Sequence, residues 1–341
     1  MATSGFEGLQ IFGGAASVEL ASKVATELGT VACFPTSEFG CGEILCDLPE
    51  SIRGQDVYVI ESHNRYQRRN MDTGEMEMRS PQDALVDHLW IVNAARSSWA
   101  GRVIACSPMP AYGRQDRRTG RQPVAAKLVF DMFKNAGSHG FMSVDMHSAQ
   151  AEGFFDGPFE HLTATPTLVE YARKAFPDEE FVVVSPDNGR MKAAGRFRDQ
   201  FGRVGLAVID DKVRQADGTV RASQMLGASV KGLPCIISDD MIDGGGTIVE
   251  AARIVHDAGA SHITAMATHG IFSGRAARRL KDSPIDTIVV TDTVQIPESV
   301  LALERPRIEV VSIAEYLARA IKIVHDGGSV TDLHGTMPQR I

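Results

Sequence analysis

The 341-residue sequence holds no apolar run approaching the roughly 20 residues that a membrane-crossing helix needs. Its first residues, MATSGFEGLQIF, carry neither a basic segment nor an apolar core of signal type. Positive charge is not in excess: 35 Lys and Arg against 43 Asp and Glu give a net charge of −8. That balance speaks against non-specific nucleic-acid binding, so any anion must be met by a local cluster. The five cysteines, Cys33, Cys41, Cys46, Cys106 and Cys235, form no Cys-x-x-Cys pair, and Cys33, Cys106 and Cys235 lie in apolar stretches. Reduced thiols in a cytosolic protein fit that pattern better than a disulfide or zinc framework. No short-period repeat supports a solenoid, and no Gly/Ser-rich linker divides the chain. What remains is an ordinary globular composition, 43% hydrophobic and 23% charged, with enough length for two domains.

Apolar stretches of strand length alternate with helical ones. LQIFGG, DVYVIES, RVIACSP, GFMSVDMH, FVVVSPD, VGLAVID and HITAMATHG read as buried strands. Helices are expected over 16–29, 81–100, 122–137, 166–176, 188–200 and 246–259, with a last one in IAEYLARAIKIVHDG. Two short strands fall near 31–38 and 42–48, and the charge-rich stretch 63–80 has no period and reads as a long loop. Strands separated by helices of this length predict α/β architecture with mostly parallel sheets. Three strands end in acidic punctuation, VDMHSAQ, VSPDNGR and SDDMIDGGGT, and such ends converge at one sheet edge.

The stretch CIISDDMIDGGGTIVEAA places Asp239 and Asp240 at a strand end, then a turn from Asp243 through Gly244, Gly245, Gly246 and Thr247 into a helix. Glycines there let the backbone turn tightly and aim N–H groups at an anion. Acids directly ahead of a phosphate cradle suit a ligand that also has hydroxyls, or a divalent metal, and a sugar phosphate satisfies both halves. A second cluster, PAYGRQDRRTGRQP, sets Arg114, Gln115, Arg117, Arg118 and Arg121 after a strand in an acidic chain. Guanidinium groups grip polyphosphate bidentately. In SVDMHSAQAEGFFDGP, Asp145 and His147 flank one another at a strand end, as a metal site would need. A polar stretch after VGLAVID carries Lys212 and Arg214; on composition alone it is equally a solvated hairpin.

Taken in order from about Leu9 to Leu333, these pieces resemble the ribose-phosphate pyrophosphokinase (phosphoribosyl pyrophosphate synthetase) family, with MPAYGRQDRR, VDMHSAQAEGFFD and DDMIDGGGT as its most specific marks. The resemblance implies two phosphoribosyltransferase-like domains, expected at 1–160 and 161–341, each a mostly parallel sheet flanked by helices. It implies transfer of the pyrophosphoryl group of ATP to the C1 hydroxyl of ribose 5-phosphate. By the same resemblance Arg114 and Gln115 bind ATP, together with Phe39, Cys41 and Glu43 from another subunit. Asp239, Asp240, Asp243, Gly244, Gly245, Gly246 and Thr247 bind the ribose phosphate. His147 and Asp187 are ligands of Mg2+, and Lys212 and Arg214 are the catalytic cations of a mobile loop. The expected assembly is a homo-oligomer, a hexamer built from dimers, with phosphate and ADP as effectors near Ser51 and Arg53. Nucleic acid and membrane are not expected as partners, and the location is cytoplasmic.

The chain departs from the family pattern at three places. Cys41 stands where the family has an amide or carboxylate, Gly244 stands where it usually has threonine, and the stretch 63–80 is longer than usual. A glycine at 244 removes a hydroxyl from the 5-phosphate site and leaves more room. That keeps open a ribose 5-phosphodiester such as ADP-ribose as the acceptor, and a non-catalytic regulatory paralogue stands as an alternative of a different class.

Overall fold

The computed structural model describes residues 8–69, 74–178, 180–210 and 224–334. The chain divides into two compact units. The first runs to Ala164 and takes in Thr293–Gln295 and the stretch from Ser312 onward; the second is Thr165–Asp292 with Ile296–Val311.

The first unit is built on a five-stranded sheet of β1 (Leu9–Gly13), β4 (Asp56–Ile60), β7 (Arg102–Cys106), β8 (Gly140–Val144) and β9 (Phe159–Leu162), in that order and parallel throughout. Two antiparallel ribbons stand outside it, β2 (Thr36–Glu38) with β3 (Ile44–Cys46), and β5 (Tyr66–Arg69) with β6 (Met76–Arg79). All five residues of β4 are buried, because helices cover both faces, as parallel sheets require. Alternation sorts them: Tyr58 and Ile60 join Leu20 and Val24 of α1 (Val18–Glu27). Val57 and Val59 join Leu85 and Leu89 of α2 (Pro81–Ser97) and Phe130 and Phe133 of α3 (Ala125–Ala136). The start of α2 is fixed locally by a capping box between Ser80 and Asp83 with Pro81 in the first turn.

The second unit carries a seven-stranded sheet. In spatial order it is β12 (Gln224–Gly227), β11 (Gly205–Asp210), β10 (Val182–Ser185), β13 (Pro234–Ile242), β14 (His262–Gly270), β15 (Thr287–Thr291) and β16 (Arg307–Val311). Only β12 is antiparallel to its neighbour. Helices α4 (Thr165–Ala175) and α5 (Met191–Arg198) contribute to the core on one face with Val183 and Ile236, while α6 (Gly246–Asp257) and α7 (Ala276–Lys281) pack on the other with Cys235 and Ile237. A short helix, α8 (Glu298–Leu301), precedes β16.

Two features differ from the sequence expectation. The last helix, α9 (Ala314–His325), follows the second unit in sequence but packs in the first, through Leu317 and Ile321 against the α1 face of the sheet. Fully buried Asp56 anchors it: Arg102 Nε donates to Asp56 Oδ1 at 2.7 Å, and His325 Nδ1 lies 2.8 Å from Oδ2. The first unit thus ends at Ala164 and regains the C-terminal segment, where the sequence suggested a single division after 160. The stretch 63–80 is not a plain loop, because it contains the β5–β6 hairpin. Arg79 of that hairpin clamps Glu38 at 2.7 and 2.8 Å, so it braces the β2–β3 ribbon.

Candidate active site

In the second unit, neighbouring strands β10 and β13 bring the Asp187 turn beside the aspartate pair. Asp187 Oδ1 accepts the Arg190 N–H at 2.9 Å, which closes the turn after β10. The Arg190 side chain then reaches across to β13, pairing with Asp240 and lying 3.4 Å from Asp239 Oδ1. Asp239 Oδ1 also accepts the Asp240 N–H at 2.8 Å. Burial, and then the charge of Asp240, hold the Asp239 carboxyl well above the usual carboxylate range, with Arg190 opposing that shift. Arg190 was not among the residues expected from sequence. Its signal was present in VSPDNGR, three residues after Asp187, but nothing local shows that it crosses to another strand.

Beyond the pair, the chain turns into α6 through Gly245 at φ +75°, a left-handed conformation that glycine adopts without strain. Gly246 and Thr247 are exposed in the first turn of the helix, where unpaired N–H groups and the helix dipole favour an anion. Asp243 Oδ1 accepts from the Ser273 hydroxyl at 2.5 Å, tying the turn to the segment after β14. Arg279 Nη1 donates to the Gly244 carbonyl at 2.6 Å, and a Cβ added at Gly244 would sit 3.1 Å from that nitrogen. The space opened by glycine at this position is therefore bordered by a guanidinium. That is a second cation the sequence reading missed.

In the first unit, Arg114 and Gln115 are exposed in the segment after β7, and His147 is exposed after the adjacent β8. Asp145, its companion in sequence, has a structural role: its Oδ2 accepts the Ala164 N–H at 2.8 Å, and its backbone sits at φ +39°. Phe39, Cys41 and Glu43 lie in the exposed turn of the β2–β3 ribbon, which is closed by Phe39 N–H to Glu43 O at 2.9 Å. Ser51 and Arg53 are exposed, and the Arg53 guanidinium lies 5.6 Å from the centre of the Trp99 ring. Lys212 and Arg214 lie outside the described residues. Among the described residues no three His, Cys, Asp or Glu side chains gather as a self-sufficient metal cage. Mg2+ does not need one, since it takes one or two carboxylates and fills the remaining positions with phosphate oxygens and water. The hard carboxylate oxygens of Asp187, Asp239 and Asp240 fit that requirement.

A strand-end acid pair running into a Gly-rich turn at a helix N-terminus, carried by one of two parallel-sheet α/β units, defines a phosphoribosyltransferase-like protein. Residues 9–137 match the N-terminal domain of ribose phosphate pyrophosphokinase, and residues 220–335 match the phosphoribosyl synthetase-associated domain. The chain is 39% identical to the ribose-phosphate pyrophosphokinase of Bifidobacterium longum, over 94% of this chain and 91% of that one. It is 37% identical to the ribose-phosphate pyrophosphokinase of Streptomyces coelicolor, over 97% of each. The structure superposes on the phosphoribosylpyrophosphate synthetase of Mycobacterium smegmatis with a TM-score of 0.82 at 36% identity, covering 94% of this chain and all of that one. The chain belongs to the ribose-phosphate pyrophosphokinase family.

Proposed function

We infer that the protein transfers the pyrophosphoryl group of ATP to the C1 hydroxyl of ribose 5-phosphate, giving phosphoribosyl pyrophosphate and AMP. The observation that carries this reading is the 239–247 element, with its acid pair and glycine turn into α6, within a match that runs nearly the full length of its relatives. Asp239 and Asp240 accept hydrogen bonds from the ribose hydroxyls, and the turn with the first N–H groups of α6 holds the 5-phosphate. Arg279 beside Gly244 favours a phosphomonoester, which carries close to two charges, over a phosphodiester with one. That ranks ribose 5-phosphate above ADP-ribose as the acceptor.

Arg114 and Gln115 hold ATP, with Phe39, Cys41 and Glu43 supplied by another subunit of a homo-oligomer, a hexamer built from dimers that responds to phosphate and ADP. Mg2+, assigned by the family pattern to His147 and Asp187, would when bound neutralise phosphate charge. Lys212 and Arg214 stabilise the charge that builds on the transferring phosphoryl oxygens. Retention of these groups speaks for a catalyst over a silent regulator. Cytoplasmic placement goes with the reading, and no helix among the described residues is long and apolar enough to cross a membrane. The test is AMP release from ATP with ribose 5-phosphate, with ADP-ribose and without acceptor. The reading requires that ribose 5-phosphate give the fastest turnover, and equal rates without acceptor would overturn it.

A further inference from the structure

Two buried histidines support the segment that carries Arg114 and Gln115. His63 follows β4 and His88 lies on α2, and both are almost wholly enclosed. The His63 backbone N–H donates to the Met109 carbonyl at 2.8 Å, and the Ala111 backbone N–H donates to the ring nitrogen His63 Nδ1 at 2.9 Å. Nδ1 is therefore the unprotonated nitrogen, which leaves the proton on Nε2, 3.1 Å from His88 Nδ1. His63 stacks on Phe133 with ring centres 5.7 Å apart, and His88 meets the same ring edge-on at 4.7 Å. Burial pushes His63 down to about 3, and burial with the neighbouring His63 lowers His88, so both rings stay neutral.

What this pair holds is a strained turn. Tyr112, next after Ala111, has φ +60°, an unfavourable value for a bulky residue. Its carbonyl accepts the Gln115 N–H at 2.8 Å, and its hydroxyl accepts from Gln82 Nε2 of α2 at 2.9 Å. The Gln115 carbonyl in turn accepts the Ala126 N–H of α3 at 3.3 Å. A conformation of this kind persists only where its surroundings fix it.

We propose that His63, oriented by His88, is a positioning residue for nucleoside triphosphate binding. Its Nδ1 fixes the Ala111 N–H and so sets the turn that presents Arg114 and Gln115. This rests on the reading that those two residues hold ATP. Asparagine places an acceptor oxygen where His63 has Nδ1, whereas glutamine carries its amide one bond further, towards His88. The experiment compares His63→Asn, His63→Gln, His63→Leu and Arg114→Ala, measuring KM separately for MgATP and for ribose 5-phosphate, with thermal melting to check folding. The expected result is a KM for MgATP raised about tenfold or more in His63→Gln and His63→Leu and within about threefold of wild type in His63→Asn, with ribose 5-phosphate KM unchanged in all three. If His63→Leu does not fold, the Asn and Gln variants still decide. Equal behaviour of Asn and Gln, or equal rises in both KM values, would overturn the proposal while a raised MgATP KM in Arg114→Ala upheld the nucleotide reading. An unchanged MgATP KM in Arg114→Ala would instead refute that reading, and this proposal with it.

Discussion

Replacing Arg190 by glutamine should expose how the candidate site tolerates the adjacent carboxyl groups of Asp239 and Asp240. The Arg190 side chain is 18% exposed, against 12% for Asp239 and 7% for Asp240, so the ion pair is mostly out of water. Removing one partner of a buried pair costs about 3–5 kcal/mol. Partial solvent access lowers the expected loss to about 2–4 kcal/mol near pH 8. For a unit of this size the corresponding fall in melting midpoint is about 5–12 °C. The pH dependence carries the diagnosis. Because the folded pKa of Asp239 is raised, the stability tied to its proton is complete below the ordinary carboxylate range, about pH 4, and is lost as pH rises through the folded value. Loss of the guanidinium raises that value further, so the gap between variant and wild type should hold nearly constant from about pH 5 up to the wild-type folded value, about 8, and widen from there to about pH 10. Differential scanning calorimetry across that range measures it. A gap that stays constant with pH would mean that Arg190 contributes packing alone, and would refute the electrostatic account.

Fully buried Glu61 is held well above the usual carboxylate range by burial and by nearby Asp87. Glu61→Gln should therefore stabilise the first unit by about 1–3 kcal/mol at pH 8 and by less at pH 5, and equal gains at both would contradict the assignment. Gly244→Thr places its Cβ against the movable end of Arg279. Its kcat/KM for ribose 5-phosphate should stay within about threefold of wild type, and a loss beyond about tenfold in steady-state assays would mean that the 5-phosphate is not bound as described. Lys212→Ala should lower kcat by about a hundredfold or more with little change in the acceptor KM, and a loss carried wholly by KM would remove it from transition-state stabilisation.

The strands and helices that position the site were legible because their signals are local. Buried strands such as DVYVI read as continuous apolar runs, and α2 and α6 announce themselves through Pro81 and the 244–246 glycines. The acid pair and its turn were readable for the same reason, as they occupy nine consecutive positions from Asp239 to Thr247. What escaped depends on distance in sequence. Arg190 meets Asp240 across 50 residues, Arg279 meets Gly244 across 35, and His325 meets Asp56 across 269. The β5–β6 hairpin has polar strands whose order comes from pairing and from the Arg79–Glu38 clamp, so no hydrophobic period marks it. His63 showed nothing in sequence because a lone histidine after a strand is ordinarily structural, and its partner His88 lies on a helix 25 residues later.

Whether the protein moves a pyrophosphoryl group onto ribose 5-phosphate can be read by phosphorus-31 spectroscopy of the purified protein with MgATP and ribose 5-phosphate. Transfer of a phosphoryl group, which leaves ADP, and transfer of a pyrophosphoryl group, which leaves AMP, give different phosphorus environments. The expected result is AMP together with a coupled pair of pyrophosphate resonances on the ribose product, with the 5-phosphate resonance retained. Formation of ADP with a single new phosphomonoester, or no reaction with ribose 5-phosphate under conditions where ADP-ribose is consumed, would contradict it.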